Sequence, residues 1–357
     1  MCDEEKNMNT IVRKVDVSLI DKTIMEEASE ILKNGGMVAF PTETVYGLGA
    51  DALDEEASAK IYRAKGRPSD NPLIVHISDM EQIDRLVKRV PDKARKIMER
   101  FWPGPLTVIL EKSDIVPKGT TGGLDTVAIR MPSHPVAMEL IRVSGVPVAA
   151  PSANVSGRPS PTQSSHVEED LCGKIDMIID GGPVGIGIES TIVDCTCDTP
   201  VILRPGYITK EMLEDIIGDV DVDKALMKPM SEGVVPKAPG MKYKHYAPKA
   251  DLTMYHGDIK NVENKINEMT KADTAAGRKV GIIASDETLD KYPLGTVISI
   301  GKRSDEDTIA HNLYRVLREF DSLGVDVIYG ETFEDNRLGQ AIMNRLLKAA
   351  GYHVENV

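Results

Sequence analysis

The spacing of apolar and polar positions predicts that strands and helices alternate along the chain. Apolar residues at helical spacing over 24–32 are followed by Asn34-Gly35-Gly36, which predicts a helix and its end. The apolar run 37–40 then predicts a buried strand that stops at Pro41. Similar short runs predict strands at 73–77, 106–110, 127–130, 146–150, 177–180, 190–194 and 201–203. Their irregular mixing with helices indicates an α/β fold with a mixed sheet.

This pattern breaks after residue 217 and resets near residue 250. Residues 218–249 carry four prolines and few apolar runs, which predicts a linker or a functional crossing segment. Beyond them, strands and helices alternate regularly, which predicts a small doubly wound sheet. We therefore expect a loose leader over 1–14, a catalytic domain over 15–217, a linker or lid over 218–249 and a smaller domain over 250–357.

Length and charge narrow the class of protein. A chain of 357 residues is long enough for about two domains. Its net charge of −13 argues against a protein that holds long nucleic acid by its phosphates, although it allows a local basic pocket. We see no secretory pattern at the polar N-terminus and no apolar run of about 18 residues, so we expect a cytoplasmic protein without membrane contact.

The candidate chemistry lies in loops that follow the predicted strands. These loops are rich in hydroxyl, amide and guanidinium groups, and α/β sheets bind ligands at strand ends. They contain Thr42-Glu43-Thr44, Lys65-Gly66-Arg67-Pro68, Arg130, Ser152-Ala153-Asn154, Glu189-Ser190 and Arg204. Taken singly, each loop fits an ordinary turn or a solvated basic surface. Taken together, they predict a site for an anionic substrate that acts by positioning and charge neutralisation.

The same loops, in this order, resemble the Sua5/YrdC family of L-threonylcarbamoyladenylate synthases. The motifs are P-T-E-T-V-Y-G-L-G, K-G-R-P-x-x-N-P-L-x-x-H, F-W-P-G-P-L-T, T-V-A-I-R-M-P, A-P-S-A-N-x-S-G, E-S-T-I-V-D and R-P-G, over about residues 20–210. The linker A-P-G-M-K-Y-K-H-Y-A-P and the trailing domain resemble the two-domain Sua5 type, although Ala238 replaces the family's frequent serine. The resemblance implies a YrdC-like twisted mixed sheet around a large open cavity and a Rossmann-like parallel sheet.

The resemblance also implies an activity. The chain would be a nucleotidyltransferase that condenses L-threonine, bicarbonate or CO2, and ATP into threonylcarbamoyl-AMP and pyrophosphate, with Mg2+ carried on the ATP. The product would pass to a separate tRNA threonylcarbamoyl-transferase complex that modifies the adenosine beside the anticodon. No stable binding of nucleic acid by this chain is expected.

Family roles carry over to this chain by motif position. The L-threonine site would comprise Thr44, His76, Arg130, Ala150 and Ser190. The ATP site would comprise Arg67, Asn71, Thr126, Ser152, Ser160, Arg204 and Tyr243. Lys65 and Arg67 would be the catalytic charge clamp, and the linker would close over the nucleotide.

Three alternatives remain open from the sequence. The chain could be a non-catalytic YrdC-like RNA-binding module, which its acidic charge disfavours. It could be another carbamoyl-transfer enzyme, although the zinc-finger and acylphosphatase-like regions of hydrogenase-maturation enzymes are missing. The trailing domain could hold a nucleotide itself; its lack of a glycine fingerprint favours a structural or partner-docking role.

Overall fold

Two separate β-sheets organise the molecule, with helices packed around them. The computed structural model describes residues 8–223, 226, 238–239, 245–334 and 336–357. Within these residues, no helix is both long and apolar enough to cross a lipid bilayer.

The strands of the described chain are numbered in order. The first sheet contains β1 (Ile11–Lys14), β2 (Val38–Pro41), β3 (Tyr46–Asp51), β4 (Ile74–His76), β5 (Leu106–Glu111), β6 (Thr126–Arg130), β7 (Val148–Ala149), β8 (Met177–Asp180), β9 (Thr191–Asp194), β10 (Val201–Arg204) and β11 (Asp221–Val222). The second contains β12 (Asp251–His256), β13 (Val280–Ala284), β14 (Thr296–Ser299), β15 (Val327–Glu331) and β16 (Val354–Asn356).

The helices of the described chain connect these strands. They are α1 (Lys22–Lys33), α2 (Glu55–Lys65), α3 (Ile83–Leu86), α4 (Asp92–Phe101), α5 (Pro135–Ser144), α6 (Ser164–Leu171), α7 (Lys210–Ile217), α8 (Ile259–Ala275), α9 (Glu306–Leu323) and α10 (Gly339–Ala349).

The first sheet is mixed, as its irregular sequence pattern predicts. Its strand order is β1-β8-β2-β3-β7-β4-β6-β5-β9-β10-β11. Parallel pairs such as β4 with β6 alternate with antiparallel pairs such as β5 with β6. Both faces are covered: along β2, Val38 and Phe40 pack with α1 and α5, whereas Ala39 points into the larger cluster on the other face. This two-residue alternation places the sheet in the middle of the unit.

The second sheet is parallel throughout, in the order β14-β13-β15-β12-β16. The regular alternation of strands and helices after residue 250 predicts this arrangement, because parallel neighbours need a crossover that is usually a helix. The mixed first sheet and the parallel second sheet confirm the predicted fold class.

Two short segments before residue 217 differ from the sequence predictions. Residues 11–14, predicted as part of a loose leader, form β1 and pair in parallel with β8. Residues 46–51, where no strand was predicted, form β3 and pair with β2. Glycines make β3 look like loop, but the packing requires one of them: a Cβ on Gly49 would lie 2.7 Å from both Phe40 and Val148 side chains. The predicted boundaries at 217 and 249 remain predictions.

The two units share a buried interface formed largely by α9. Val45 and Ile188 from the first unit belong to the same apolar cluster as Leu313 and Tyr314 from α9. Gly187 lies in this interface with a φ of +89°, and a Cβ there would be 2.5 Å from the Ala310 carbonyl oxygen. The backbone of the first unit therefore approaches α9 more closely than any side chain at position 187 allows.

This close approach predicts the effect of Gly187→Ala. The alanine would carry the cost of a left-handed backbone and the cost of overpacking, together about 3 kcal/mol or more of unfolding free energy. Gly182→Ala is the matched control, because Gly182 has a φ of +81° and a Cβ added to it would meet no neighbour within 4 Å. It should cost only about 1–2 kcal/mol. Equal losses for the two variants in urea unfolding would contradict the interface described here.

Candidate active site

A cavity opens where several strands of the first sheet end. Its described lining comes from the β2–β3 turn, β4, the end of β6, the loop after β7, the segment before β9 and the end of β10. All five residues that were predicted to bind L-threonine line the cavity, namely Thr44, His76, Arg130, Ala150 and Ser190. Of the predicted ATP residues, Arg67, Ser152 and Arg204 also line it. The strand-end loops, distant in sequence, therefore converge as predicted.

Arg130 anchors one side of the cavity from the end of β6. Its Nη2 lies 2.6 Å from Glu43 Oε1, and its Nη1 donates to Thr44 Oγ1 at 2.9 Å. The Thr42 and Thr44 hydroxyls are 2.9 Å apart, which fixes this turn. A buried guanidinium needs a partner, and that partner is Glu43, which the sequence placed in a candidate loop without a specific role. Each Nη carries two N–H groups, so Arg130 keeps donors for a ligand carboxylate.

Arg204 and Ser190 form the opposite side. Arg204, at the end of β10, donates from Nε to the Ser190 carbonyl and from Nη2 to Ser190 Oγ, both at 3.1 Å. Thr107 Oγ1 lies 2.8 Å from the same Ser190 hydroxyl. Burial lowers the pKa of Arg204. The Ser190 side chain is thus fixed between β5 and β10, and Thr107 is a second residue that sequence reasoning missed.

The run Lys65-Gly66-Arg67 turns sharply at the end of α2. Gly66 is left-handed, with a φ of 60°, and its N–H caps the helix on the Arg63 and Tyr62 carbonyls. Arg67 then reaches the cavity and donates to the Asn71 and Pro72 carbonyls at 3.2 and 3.0 Å. Burial lowers the pKa of Arg67 to about 10, so it remains protonated at neutral pH.

Lys65 occupies a different place from Arg67. Its Nζ donates to the carbonyl oxygens of Ser152 and Asn154, each at 2.5 Å, and it does not line the cavity. Burial, and then the charge of Arg67, hold the pKa of Lys65 well below its usual value. Lys65 therefore supports the Ser152–Asn154 loop on the side away from the cavity. Of the two residues predicted to form the charge clamp, Arg67 faces the cavity and Lys65 does not.

Three further predicted ATP residues lie away from the lining, and a fourth falls outside the described chain. Asn71 is buried beside Arg67, and its Oδ1 has no hydrogen-bond partner. Thr126 begins β6 whereas Arg130 ends it, so about 13 Å of strand separates them. Ser160 is buried and donates to Glu189. Tyr243 lies outside the described residues.

The carboxylate of Glu189 connects side chains from three separate segments of the chain. Its carboxylate accepts hydrogen bonds from Ser160 Oγ at 2.6 Å, Tyr314 OH at 2.8 Å and Arg345 Nε at 3.1 Å. Burial alone would raise the pKa of Glu189, but Arg345, Arg204 and the Ser160 hydroxyl lower it to about 2. Glu189 therefore stays ionised. The sequence signal was a carboxylate directly before a buried strand, but its partners are 125 and 156 residues away.

The described part of the linker also lines the cavity, through Pro239, His245 and Tyr246. Tyr246 has a φ of 66°, which is uncommon for a non-glycine residue, and its ring packs 5.2 Å from that of Tyr314. The predicted crossing segment thus reaches the site. The pKa of His245 is lowered to about 3, first by burial and then by Arg67, so this residue is neutral near pH 7.

The charged side chains of the described lining favour the binding of anions. Arg67, Arg130 and Arg204 supply three guanidinium groups, and Glu189 is the one carboxylate among the described lining residues. That carboxylate is already paired with Arg345. Over the described residues, no three His, Cys, Asp or Glu side chains form a group that could hold a metal ion.

Family models match nearly the whole chain. The model described as "Telomere recombination" (Sua5/YciO/YrdC) matches residues 30–206. The model described as "Threonylcarbamoyl-AMP synthase, C-terminal domain" matches residues 208–351. The two matches meet just after β10, so the second takes in α7, the linker and most of the second unit.

Similar proteins carry the same two units. A threonylcarbamoyl-AMP synthase of Bacillus subtilis is 52% identical over 92% of this chain and 93% of its own length. One from Pyrococcus abyssi is 50% identical over 92% of this chain and 95% of its own length. The crystal structure of P. abyssi Sua5 complexed with L-threonine aligns with a TM-score of 0.92 at 47% identity, covering 98% of this chain and all of that one.

The environment of His76 predicts a pH effect on stability. Burial, and then Arg130, lower the pKa of His76 to about 3, against about 6.5 in an unfolded chain. Between these values the unfolded chain binds a proton that the folded chain does not, so stability is lost as the pH falls from 6.5 towards 3. His76→Gln should flatten this slope by about 1.4 kcal/mol per pH unit. An unchanged slope in urea unfolding between pH 4 and 6.5 would contradict a neutral, buried His76.

Proposed function

Because this chain belongs to the Sua5/YrdC family of threonylcarbamoyl-AMP synthases, we propose that its cavity binds L-threonine and ATP and joins them through bicarbonate or CO2. The observation that carries this proposal is the convergence of Arg67, Arg130 and Arg204 on one cavity. Three guanidinium groups therefore lie together in a chain whose net charge is −13. ATP is an anion and L-threonine carries a carboxylate, and guanidinium groups bind phosphates and carboxylates in a bidentate manner.

The threonine would occupy the side of the cavity near Arg130. Its carboxylate would accept from the free N–H groups of Arg130, next to the Thr44 hydroxyl that Arg130 already contacts. Ser190, held by Thr107, would meet the amino acid from the opposite wall. His76 is neutral and would act as a hydrogen-bonding group rather than as a cation. Ala150 would contribute through its backbone.

The ATP would occupy the side near Arg67 and Arg204. Arg67 stays charged and is held by two main-chain carbonyls, so it is preorganised for a phosphate oxygen. The unpartnered Asn71 Oδ1 supports a role for Asn71 beside it. Ser152 lines the cavity and Ser160 is fixed by Glu189. Thr126 and Tyr243 stay predictions, and Lys65 acts on ATP through the loop that it braces.

The reaction then needs positioning and no covalent enzyme intermediate. The threonine amine forms a bond to the carbon of CO2 and loses a proton, or reacts with bicarbonate and releases water. An oxygen of the resulting N-carboxylate attacks the α-phosphorus of ATP, and the bond to pyrophosphate breaks. Both reacting groups are anionic, so Arg67 and Arg204 lower their repulsion and stabilise the charge that develops.

Magnesium would enter as part of the substrate. Both carboxylate oxygens of Glu189, the one acidic group among the described lining residues, already accept hydrogen bonds from Ser160, Tyr314 and Arg345. We therefore expect Mg2+ to be held mainly by the phosphates and water, where it supplies further charge neutralisation.

The product would leave for a second enzyme. Threonylcarbamoyl-AMP is a mixed anhydride and therefore an activated acyl donor, which suits transfer to the adenosine of a tRNA by a separate transferase complex. The net charge of −13 disfavours stable tRNA binding by this chain. A cytoplasmic location would provide ATP, threonine and tRNA together.

Pyrophosphate release tests the proposed function directly. The protein is incubated with ATP, labelled threonine and bicarbonate, and pyrophosphate is measured together with labelled threonylcarbamoyl-AMP. We expect one pyrophosphate per labelled product, and none when threonine is omitted. Pyrophosphate release that does not depend on threonine would exclude the proposed reaction.

Two variants distinguish the role of Arg67, which faces the cavity, from that of Lys65, which supports the Ser152–Asn154 loop. Arg67→Ala should lower kcat/KM by about a hundredfold or more, because a charge that faces the phosphates is lost. Lys65→Ala should also lower it, with a fall in thermal stability, since the Ser152–Asn154 loop loses its buried donor. Arg315→Ala, which removes an exposed ion pair within α9, is the control and should change neither property much.

A further inference from the structure

The carboxylate of Glu189 is shared between the two units of the molecule. Glu189 precedes β9 at the cavity wall and is only 6% exposed. Within the first unit it accepts from Ser160, whereas its contacts from the second unit come from Tyr314 on α9 and Arg345 on α10. The second unit therefore reaches a residue of the candidate active site with two side chains.

The same two helices hold the backbone on either side of other ATP residues. Arg345 Nη1 donates to the carbonyl of Pro205, the residue after Arg204, at 2.5 Å. Arg318 on α9 donates to the carbonyl of Pro159, the residue before Ser160, at 2.6 and 3.1 Å. The loops that carry Ser160, Glu189 and Arg204 are thus all tied to the second unit.

The chemistry of a buried carboxylate makes these contacts necessary. A carboxylate that loses its cation and its hydroxyl partner inside a protein is strongly destabilised. Glu189 would then be drawn towards Arg204, which lines the same cavity and whose charge already acts on the Glu189 carboxylate. That move would occupy Arg204, which could then no longer pair with a phosphate, and it would release Ser160.

We propose that Tyr314 and Arg345 are positioning residues of the active site, which hold Glu189 so that Ser160 and Arg204 meet ATP. This proposal rests on the proposed function, because it takes Ser160 and Arg204 as ATP ligands. It also gives the second unit a specific role, since Tyr314 and Arg345 would act on the ATP side of the cavity through Glu189, without lining the cavity themselves.

The chain offers a matched control inside the second unit. Glu331 is fully buried and accepts from Tyr292 OH at 2.7 Å and from Arg303 Nη2 at 2.5 Å. This cluster reproduces the Tyr-Glu-Arg arrangement at Glu189, but it lies at the end of β15 and contacts no described residue of the cavity lining. Tyr292→Phe therefore costs a buried hydrogen bond to a carboxylate without touching the candidate site.

The test compares Tyr314→Phe with Tyr292→Phe. Tyr314→Phe keeps the ring that packs on Tyr246 and removes only the hydroxyl. We expect the KM for ATP, and the dissociation constant of a non-hydrolysable ATP analogue, to rise about tenfold, with a smaller change in the KM for threonine. Tyr292→Phe should lower the thermal midpoint similarly and leave the KM for ATP within about twofold of wild type. Equal KM values for ATP in the two variants would overturn the proposal.

Variants at Arg345 provide an independent readout. Arg345→Met should weaken ATP binding more than Tyr314→Phe, and Arg345→Lys should restore part of the loss because it returns a cation to Glu189. If Arg345→Met does not fold, Tyr314→Phe and Arg345→Lys still decide. A wild-type protein without threonine-dependent pyrophosphate release would instead refute the proposed function, while normal release with unaffected variants would refute only the positioning role.

Discussion

One buried charge, the carboxylate of Glu189, sets how the two sheets and the site fit together. A carboxylate in this position must be paired and hydrogen-bonded to be tolerated. Its partners come from both units: Ser160 from the first, and Tyr314 and Arg345 from the second. Because the Glu189 carboxylate accepts hydrogen bonds from both units, the packing of α9 and α10 against the first unit also fixes the geometry of the cavity wall.

The site gathers cations rather than reactive nucleophiles. Arg67, Arg130 and Arg204 reach the cavity from the end of α2, from β6 and from β10, and each is held by main-chain or side-chain acceptors. Fixed guanidinium groups stabilise developing negative charge without having to reorganise. A reaction between an N-carboxylate and a phosphate suits this arrangement, because both reacting groups are anionic.

The sequence predicted local features better than distant pairings. Strand ends and their polar loops followed from periodicity, and the resemblance assigned Thr44 and Ser190 to a cavity that both line. Strand β3 was missed because its glycines, of which Gly49 is required by packing against Phe40 and Val148, mask the strand pattern. The role of Glu189 could not be predicted, since its partners in the second unit are more than 120 residues away. Lys65 was expected to face phosphate, but neighbouring carbonyls hold it.

A double-mutant cycle on ATP affinity tests most directly whether residues of the second unit affect ATP binding through Glu189. Tyr314→Phe and Ser160→Ala are made singly and together, and the dissociation constant of a non-hydrolysable ATP analogue is measured by calorimetry. If Tyr314 acts on ATP by holding Ser160 through Glu189, the double variant should bind hardly more weakly than the weaker-binding single variant. Losses that multiply, to about a hundredfold from two tenfold effects, would show that the residues act independently and would contradict the account.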